Sequence, residues 1–165
     1  MGLTEELGLD HSIETIEHES LLNIVYTGTM IDRASFRYFQ GQTITVAQFN
    51  VLAQLKYAPE KSLSQSVLVR RLVVNKADMT GIVDRLEKAG YAKRERHPDD
   101  RRINMVTMTR LGEEAVNSLE AGYFEGVCEL MSGIAKDDLY KLNITLEKVR
   151  HNIAKRLAPG KGGAK

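Results

Sequence analysis

The apolar residues of this 165-residue chain change their period twice within about forty positions. Between Asn75 and Gly90, Met79, Ile82, Val83 and Leu86 recur at helical spacing, with Asn75 placed to cap the helix and Gly90 to end it. Tyr91–Arg96 and Ile103–Met108 then read as two strands joined by the turn His97-Pro98-Asp99-Asp100-Arg101. After Thr109, a capping residue, helical spacing returns through Leu111, Ala115, Leu119 and Val127, which are expected to form a buried side. This succession of helix, hairpin and helix constrains the fold more than any other feature of the chain.

The flanking segments complete the plan. Ile13 to Phe39 is helical in pattern, with Gly41 where the helix would stop. Thr45-Val46-Ala47-Gln48 is a capping box, and the helix it opens runs through Phe49, Leu52 and Leu55 to about Tyr57, ahead of Pro59. Ser64 caps a short helix carrying Val67, Leu68 and Leu72. A last helix, about 137–157, places Leu139, Leu142, Leu146, Val149 and Ile153 at alternating steps of three and four, a narrow seam suited to a partner helix. The two helices on either side of Val73-Val74 form a helix-turn-helix, and the hairpin that follows is a wing. The expected fold is mainly α with a small β-hairpin wing. Residues 1–11 are expected to form a flexible N-terminus, 41–109 the winged helix-turn-helix lobe between the helical segments 12–40 and 110–157, and 158–165 a disordered tail.

Charge and composition narrow the function. Hydrophobic residues make up 42% and charged residues 27%, as in an ordinary globular protein able to bury a core. Net charge is only +1, yet Lys61–Arg102 holds eleven basic and six acidic residues while the remainder is net negative. A basic middle in an acidic frame suits a patch that meets a polyanion, or simply a solvated surface. Cys128 is the single cysteine, which excludes an internal disulfide and suits a reducing compartment. Deep in a long helix with no adjacent base, it is expected to be a buried structural thiol. The start, Met1-Gly2-Leu3-Thr4-Glu5-Glu6, lacks the basic and apolar regions of a signal peptide, and no apolar run has the length of a membrane span, so the expected location is cytoplasmic. His11, His18, His97 and His151 have no zinc-ligand spacing, and no carboxylates pair for acid–base work. Neither metal, cofactor nor enzymatic activity is expected.

Five segments resemble one family, the MarR (multiple antibiotic resistance regulator) family of winged-helix transcription factors. They are Ile44-Thr45-Val46-Ala47-Gln48-Phe49-Asn50-Val51-Leu52, Leu63–Leu68, Ile82–Gly90, Pro98–Arg102, and Val106–Gly112, in order and register over about residues 13–157. The resemblance implies a homodimeric, sequence-specific regulator of double-stranded DNA, with 12–40 and 110–157 as dimerisation helices, a repressor on a palindromic operator, with DNA affinity modulated by a small aromatic or phenolic effector. The family's wing signature falls on Asp100 and Arg102, the Asp holding the wing's shape and the Arg entering the minor groove; Arg101 is expected to meet a phosphate. Arg94 and Arg96 complete the wing's candidate DNA contacts. The recognition helix presents Asn75, Lys76, Ala77, Asp78, Thr80, Gly81 and Arg85, of which Lys76, Thr80 and Arg85 are expected at phosphates or base edges. Two positions depart from the family pattern. Val73 stands where the turn often carries Gly, and Asp78 puts a negative charge on the reading face, either to accept from a cytosine amino group or to pair with a nearby Lys or Arg. Effector candidates are Tyr26, Met30, Arg33, Arg37 and Tyr57, since an anionic aromatic needs a cation between apolar walls. The alternative packs the tyrosines and Met30 in the core and leaves both arginines solvated. A winged-helix module working through protein contacts alone is the competing function.

Overall fold

Local capping sets where most helices begin. The computed structural model describes residues 2–158, and the greater part of the expected tail, 159–165, lies outside the described residues. After a one-turn helix α1 (Leu3–Glu6), which buries Leu3 inside a segment expected to be loose, Thr15 caps α2 (Ile16–Phe39) by accepting the His18 N–H. Thr45 and Gln48 close the capping box of α3 (Val46–Lys56), with the Thr45 N–H donating to Gln48 Oε1 at 2.9 Å. Ser64 caps α4 (Gln65–Leu72) and Asn75 caps α5 (Lys76–Lys88). The wing strands are β2 (Ala92–Arg96) and β3 (Asn104–Met108), and α6 (Arg110–Leu130) and α7 (Lys136–Leu157) follow.

A third strand, β1 (Ser62–Ser64), was not expected from the sequence. It pairs antiparallel with β3, giving the sheet order β1-β3-β2, with Leu63 and Arg94 both opposite Val106. Three residues carry no alternation of their own, so this strand exists through its pairing partner, reinforced by the Ser62–Thr107 hydroxyl contact at 2.9 Å.

The chain divides into two units, residues 1–121 and 122–165, of which the second is described through Ala158. In the first, Val51, Leu52 and Leu55 of α3, Leu68 of α4 and Met79, Val83 and Leu86 of α5 are completely buried. Val106 and Met108 close the core from the sheet. Four-residue and three-residue steps put the α5 side chains on one stripe, which fixes the opposite face toward solvent. The buried side of α6 is Gly112, Val116 and Leu119; of the four expected residues Leu119 is buried, Ala115 half-buried, and Leu111 and Val127 exposed. The reason lies at Gly112: a Cβ there would overlap the Tyr91 carbonyl oxygen, which also accepts the Thr109 N–H. The tight approach turns the 112–116–119 face inward.

In the second unit no described residue is buried. Leu139, Leu146 and Val149 are half-buried, while Leu142 and Ile153 are exposed. Phe124, Val127, Leu130, Ile144 and Leu157 are exposed as well. Cys128 is exposed rather than buried, because this part of α6 has no covering layer from its own unit.

Candidate nucleic-acid interface

The helix-turn-helix consists of α4, the turn at Val73-Val74, and α5. Val73 adopts φ 52° and ψ 40°, the left-handed conformation, and its N–H returns to the Val69 carbonyl. The turn therefore keeps a geometry that normally calls for glycine, using a β-branched residue to do it. At the start of α5, Asn75 Oδ1 accepts the Asp78 N–H at 2.8 Å, and Asn75 Nδ2 donates to Asp78 Oδ2 at 2.6 Å. Asp78 thus pairs with the cap and not with a Lys or Arg. Its charge sits in the first helical turn, where the helix dipole favours an anion.

Thr80 is tied twice. Its hydroxyl donates to the Lys76 carbonyl at 2.9 Å and accepts from Gln65 Nε2 at 2.8 Å. Lys76, Ala77 and Arg85 are exposed on the same helix, and Gly81 is half-buried.

The wing sorts its charges into pairs and remainders. The Arg94 guanidinium forms ion pairs with Asp84 and with Glu87, the latter at 2.8 Å, and also donates to the Thr80 carbonyl at 3.1 Å. Both carboxylates belong to α5, so Arg94 fastens the wing to the recognition helix. Arg96 donates to Asn104 Oδ1 and to the Arg101 carbonyl. The hydrogen bond from Lys93 depresses the Glu95 carboxylate below its ordinary pKa, with the Lys93 charge and a Thr107 hydroxyl adding to the effect. At the tip, Asp100 Oδ1 accepts the Arg102 N–H and the Asp100 carbonyl accepts the Ile103 N–H, which shapes the turn. Among the described residues, the side chains of Lys76, Arg85, Arg101 and Arg102 have no ion-pair or hydrogen-bond partner.

Lys76, Thr80, Arg94, Arg96 and Arg102 line one open cleft of about 630 Å³ between α4, α5 and the wing, joined there by Gln65, Ser66, Val69, Ile103 and Asn104. Sequence reasoning overlooked Gln65. It sits on α4 rather than on the recognition helix, and its link to Thr80 spans fifteen residues.

The effector candidates are not brought together as a set. Arg33 and Arg37 line a groove of about 590 Å³ on α2 with Phe36, Thr29, Asp32 and Gln40, closed at one side by Val46. Tyr26 is half-buried and Met30 exposed, and neither lines the groove. Tyr57 is 69% exposed and donates its hydroxyl to Glu120, which also holds Lys56 in an ion pair. Met30 and Tyr57 are thus not core residues either. The Lys56 and Tyr57 hydrogen bonds keep the Glu120 carboxylate below its ordinary pKa, and the Glu120 hydrogen bond raises Lys56.

A helix pair joined by a tight turn and followed by an antiparallel hairpin defines a winged helix-turn-helix protein. Residues 42–103 match the sequence model of the MarR family. The chain is 24% identical over 136 residues to the HTH-type transcriptional repressor YetL of Bacillus subtilis (strain 168), covering 82% of this chain and 81% of YetL. Its fold matches Sco3205, a MarR family transcriptional regulator from Streptomyces coelicolor solved in complex with DNA, at TM-score 0.75 and 21% identity, over 94% of this chain and 97% of that one. CouR from Rhodococcus jostii RHA1, solved bound to p-coumaroyl-CoA, matches at TM-score 0.72 and 19% identity, over 83% and 95% of the two chains. Over residues 42–103 the chain is thus similar to MarR family regulators in sequence, and it shares their winged helix-turn-helix fold.

Proposed function

We propose that this protein is a cytoplasmic repressor without enzymatic activity that binds a palindromic operator as a homodimer. The observation that carries the reading is the cleft shared by α5 and the wing, in which Lys76 and Arg102 stand with their cations uncommitted. In this arrangement α5 enters the major groove. The wing tip, with Arg101 and Arg102, reaches the flanking backbone and minor groove, where a narrow groove concentrates negative potential. Lys76 and Arg85 meet phosphates or base edges, while Asn75, Asp78 and Asp100 shape the surface that does so. Exposed apolar residues on α2 (Ile16, Leu21, Val25) and on α7 (Leu142, Ile144, Ile153) need a cover, and a second copy of the chain provides it. Two-fold symmetry then places the recognition helices about 10 base pairs apart, matching a palindrome.

The α2 groove supports a small aromatic or phenolic acid as effector, with Arg33 and Arg37 to meet the acid group and Phe36 to stack on the ring. CouR supplies a ligand-bound relative of the same fold. An effector that binds one lobe spacing better than the other shifts DNA affinity by that difference. The protein-only alternative loses its main support, since Asp78 is accounted for by the Asn75 cap.

Salt-titrated binding to DNA selected from a random pool tests the reading. Affinity for the selected site is expected to fall steeply with salt and to exceed that for random duplex by at least ~10³; equal affinity for all sequences refutes it. Arg102→Ala is expected to weaken operator binding by about 1–3 kcal/mol, and an unchanged affinity removes Arg102 from the interface.

A further inference from the structure

We infer that Gln65 reads a base, held in place by Thr80, and that the pair sets a preference for adenine at one position of each half-site. The inference rests on the operator-binding reading above.

The argument begins with a single proton. Thr80 Oγ1 lies 2.9 Å from the Lys76 carbonyl oxygen, an acceptor only, so the one hydroxyl hydrogen is committed there. Toward Gln65 the same oxygen can only accept. The group facing it at 2.8 Å is therefore the Gln65 amide nitrogen, since the opposite orientation would set two acceptors against each other with no hydrogen between them. The amide orientation is fixed by chemistry. What remains uncommitted is one N–H and the carbonyl oxygen, and among the described residues neither has a partner.

Gln65 is half-buried and lines the same cleft as Lys76 and Arg102, so the uncommitted groups lie on the face turned to DNA. An amide offering one donor beside one acceptor matches the N7 acceptor and N6 amino donor of adenine in the major groove. It matches no other base edge there as well: guanine offers two acceptors, cytosine only a donor, and thymine one acceptor beside a methyl group. The Thr80 bond also restrains a flexible side chain before DNA arrives, which lowers the entropy lost on contact.

The test compares base preferences, position by position, for sites selected from a random duplex pool by the full-length protein. Wild type, Gln65→Ala, Gln65→Glu, Thr80→Val and the double variant Gln65→Ala/Thr80→Val are selected in parallel. Helix content and oligomeric state are checked for each. Wild type is expected to select adenine at one position per half-site. Gln65→Ala should lower that preference about tenfold or more while leaving other positions unchanged. Gln65→Glu should redirect the same position toward cytosine, whose amino group a carboxylate accepts. Thr80→Val should relax the same position, and the double variant should lose no more discrimination than Gln65→Ala alone, because the two residues act as one unit. An unchanged profile for Gln65→Ala overturns the assignment. Uniform weakening at every sequence also overturns it, since that is the mark of a backbone contact. A wild-type chain that selects no sequence overturns the operator reading itself, and the assignment with it.

Discussion

Val73→Gly is expected to stabilise this protein, although it deletes a valine side chain. Val73 sits at φ 52° and ψ 40° in the turn of the helix-turn-helix. For a residue with a Cβ the left-handed conformation costs about 1–2 kcal/mol, and a β-branched side chain lies at the upper end because its two γ carbons crowd the backbone. The side chain recovers little of this, being 90% exposed, so almost no apolar burial is lost with it. The backbone bonds from the Val73 and Val74 N–H groups to the Val69 carbonyl do not depend on the side chain. Against the relief stands the larger conformational freedom that glycine has in the unfolded chain, about 0.5–1 kcal/mol. The balance is a gain of about 1 kcal/mol, equivalent to about 2–4 °C in Tm for a chain of this size. Val73→Ala keeps most of the left-handed penalty and should fall between wild type and Val73→Gly. Thermal and urea unfolding at one fixed protein concentration provides the measurement, since an oligomer's Tm varies with concentration. The order Gly above Ala above Val follows from backbone strain. If Val73→Gly proved less stable than wild type at unchanged denaturant m-value, the strain argument would be wrong and the side chain would have to be packed in the native protein.

Three further outcomes follow from the geometry. Gly112→Ala should cost about 1–3 kcal/mol or more, as overpacking does, because its methyl group meets the Tyr91 carbonyl; a wild-type melting curve would show that the α6 start can shift freely. The Glu120 carboxylate, held below the ordinary glutamate value of 4.5 chiefly by Lys56, contributes stability that is present above that value and is lost as pH falls through the depressed one. Glu120→Gln should therefore show a shallower loss of stability in acid than wild type, and parallel acid limbs would contradict the pairing. Arg94→Ala should lower operator affinity by loosening the wing from α5, yet leave the salt slope unchanged, because Arg94 is neutralised by Asp84 and Glu87 and releases no phosphate counterion; a slope reduced by about one per contact would instead make it a phosphate ligand.

The features legible in the sequence are those written locally. Thr45, Ser64, Asn75 and Thr109 each cap a helix within three residues of their own position, and the spacing 79–82–83–86 gave the buried face of α5 directly. The hairpin was equally local, with β2 and β3 within one residue of the expected bounds. What escaped was decided across the fold. The three-residue β1 depends on β3, more than forty residues later. The inward face of α6 was set by the Tyr91 carbonyl rather than by the spacing of Leu111 and Ala115. Cys128 looked buried because a long amphipathic helix normally has a partner, and its own unit supplies none. In the candidate interface, the sequence indicated which residues face outward but not which are engaged: the ion-pair partners of Arg94 lie seven and ten residues away, and Gln65 lies fifteen from Thr80.

The mixture of signs in the hairpin region follows from one requirement. The β2–β3 hairpin, which β1 supports only at residues 105–107, has little buried apolar surface toward its tip, so its angle there must be set by polar contacts with a neighbour. Here Asp84 and Glu87 hold Arg94, Glu95 holds Lys93, Asn104 holds Arg96, and Asp100 shapes the tip from within. Arg94 and Lys93 are thus neutralised by acids, and positive charge without an ion pair is left on Arg96, at the tip on Arg101 and Arg102, and across the cleft on Lys76. If every arginine were unpaired the ribbon would repel itself and lose its angle; if every one were paired it would offer nothing to a polyanion. The acidic residues therefore do not weaken the case for a DNA-binding surface. By neutralising Arg94 and Lys93, they leave the remaining positive charge on groups that can reach a duplex.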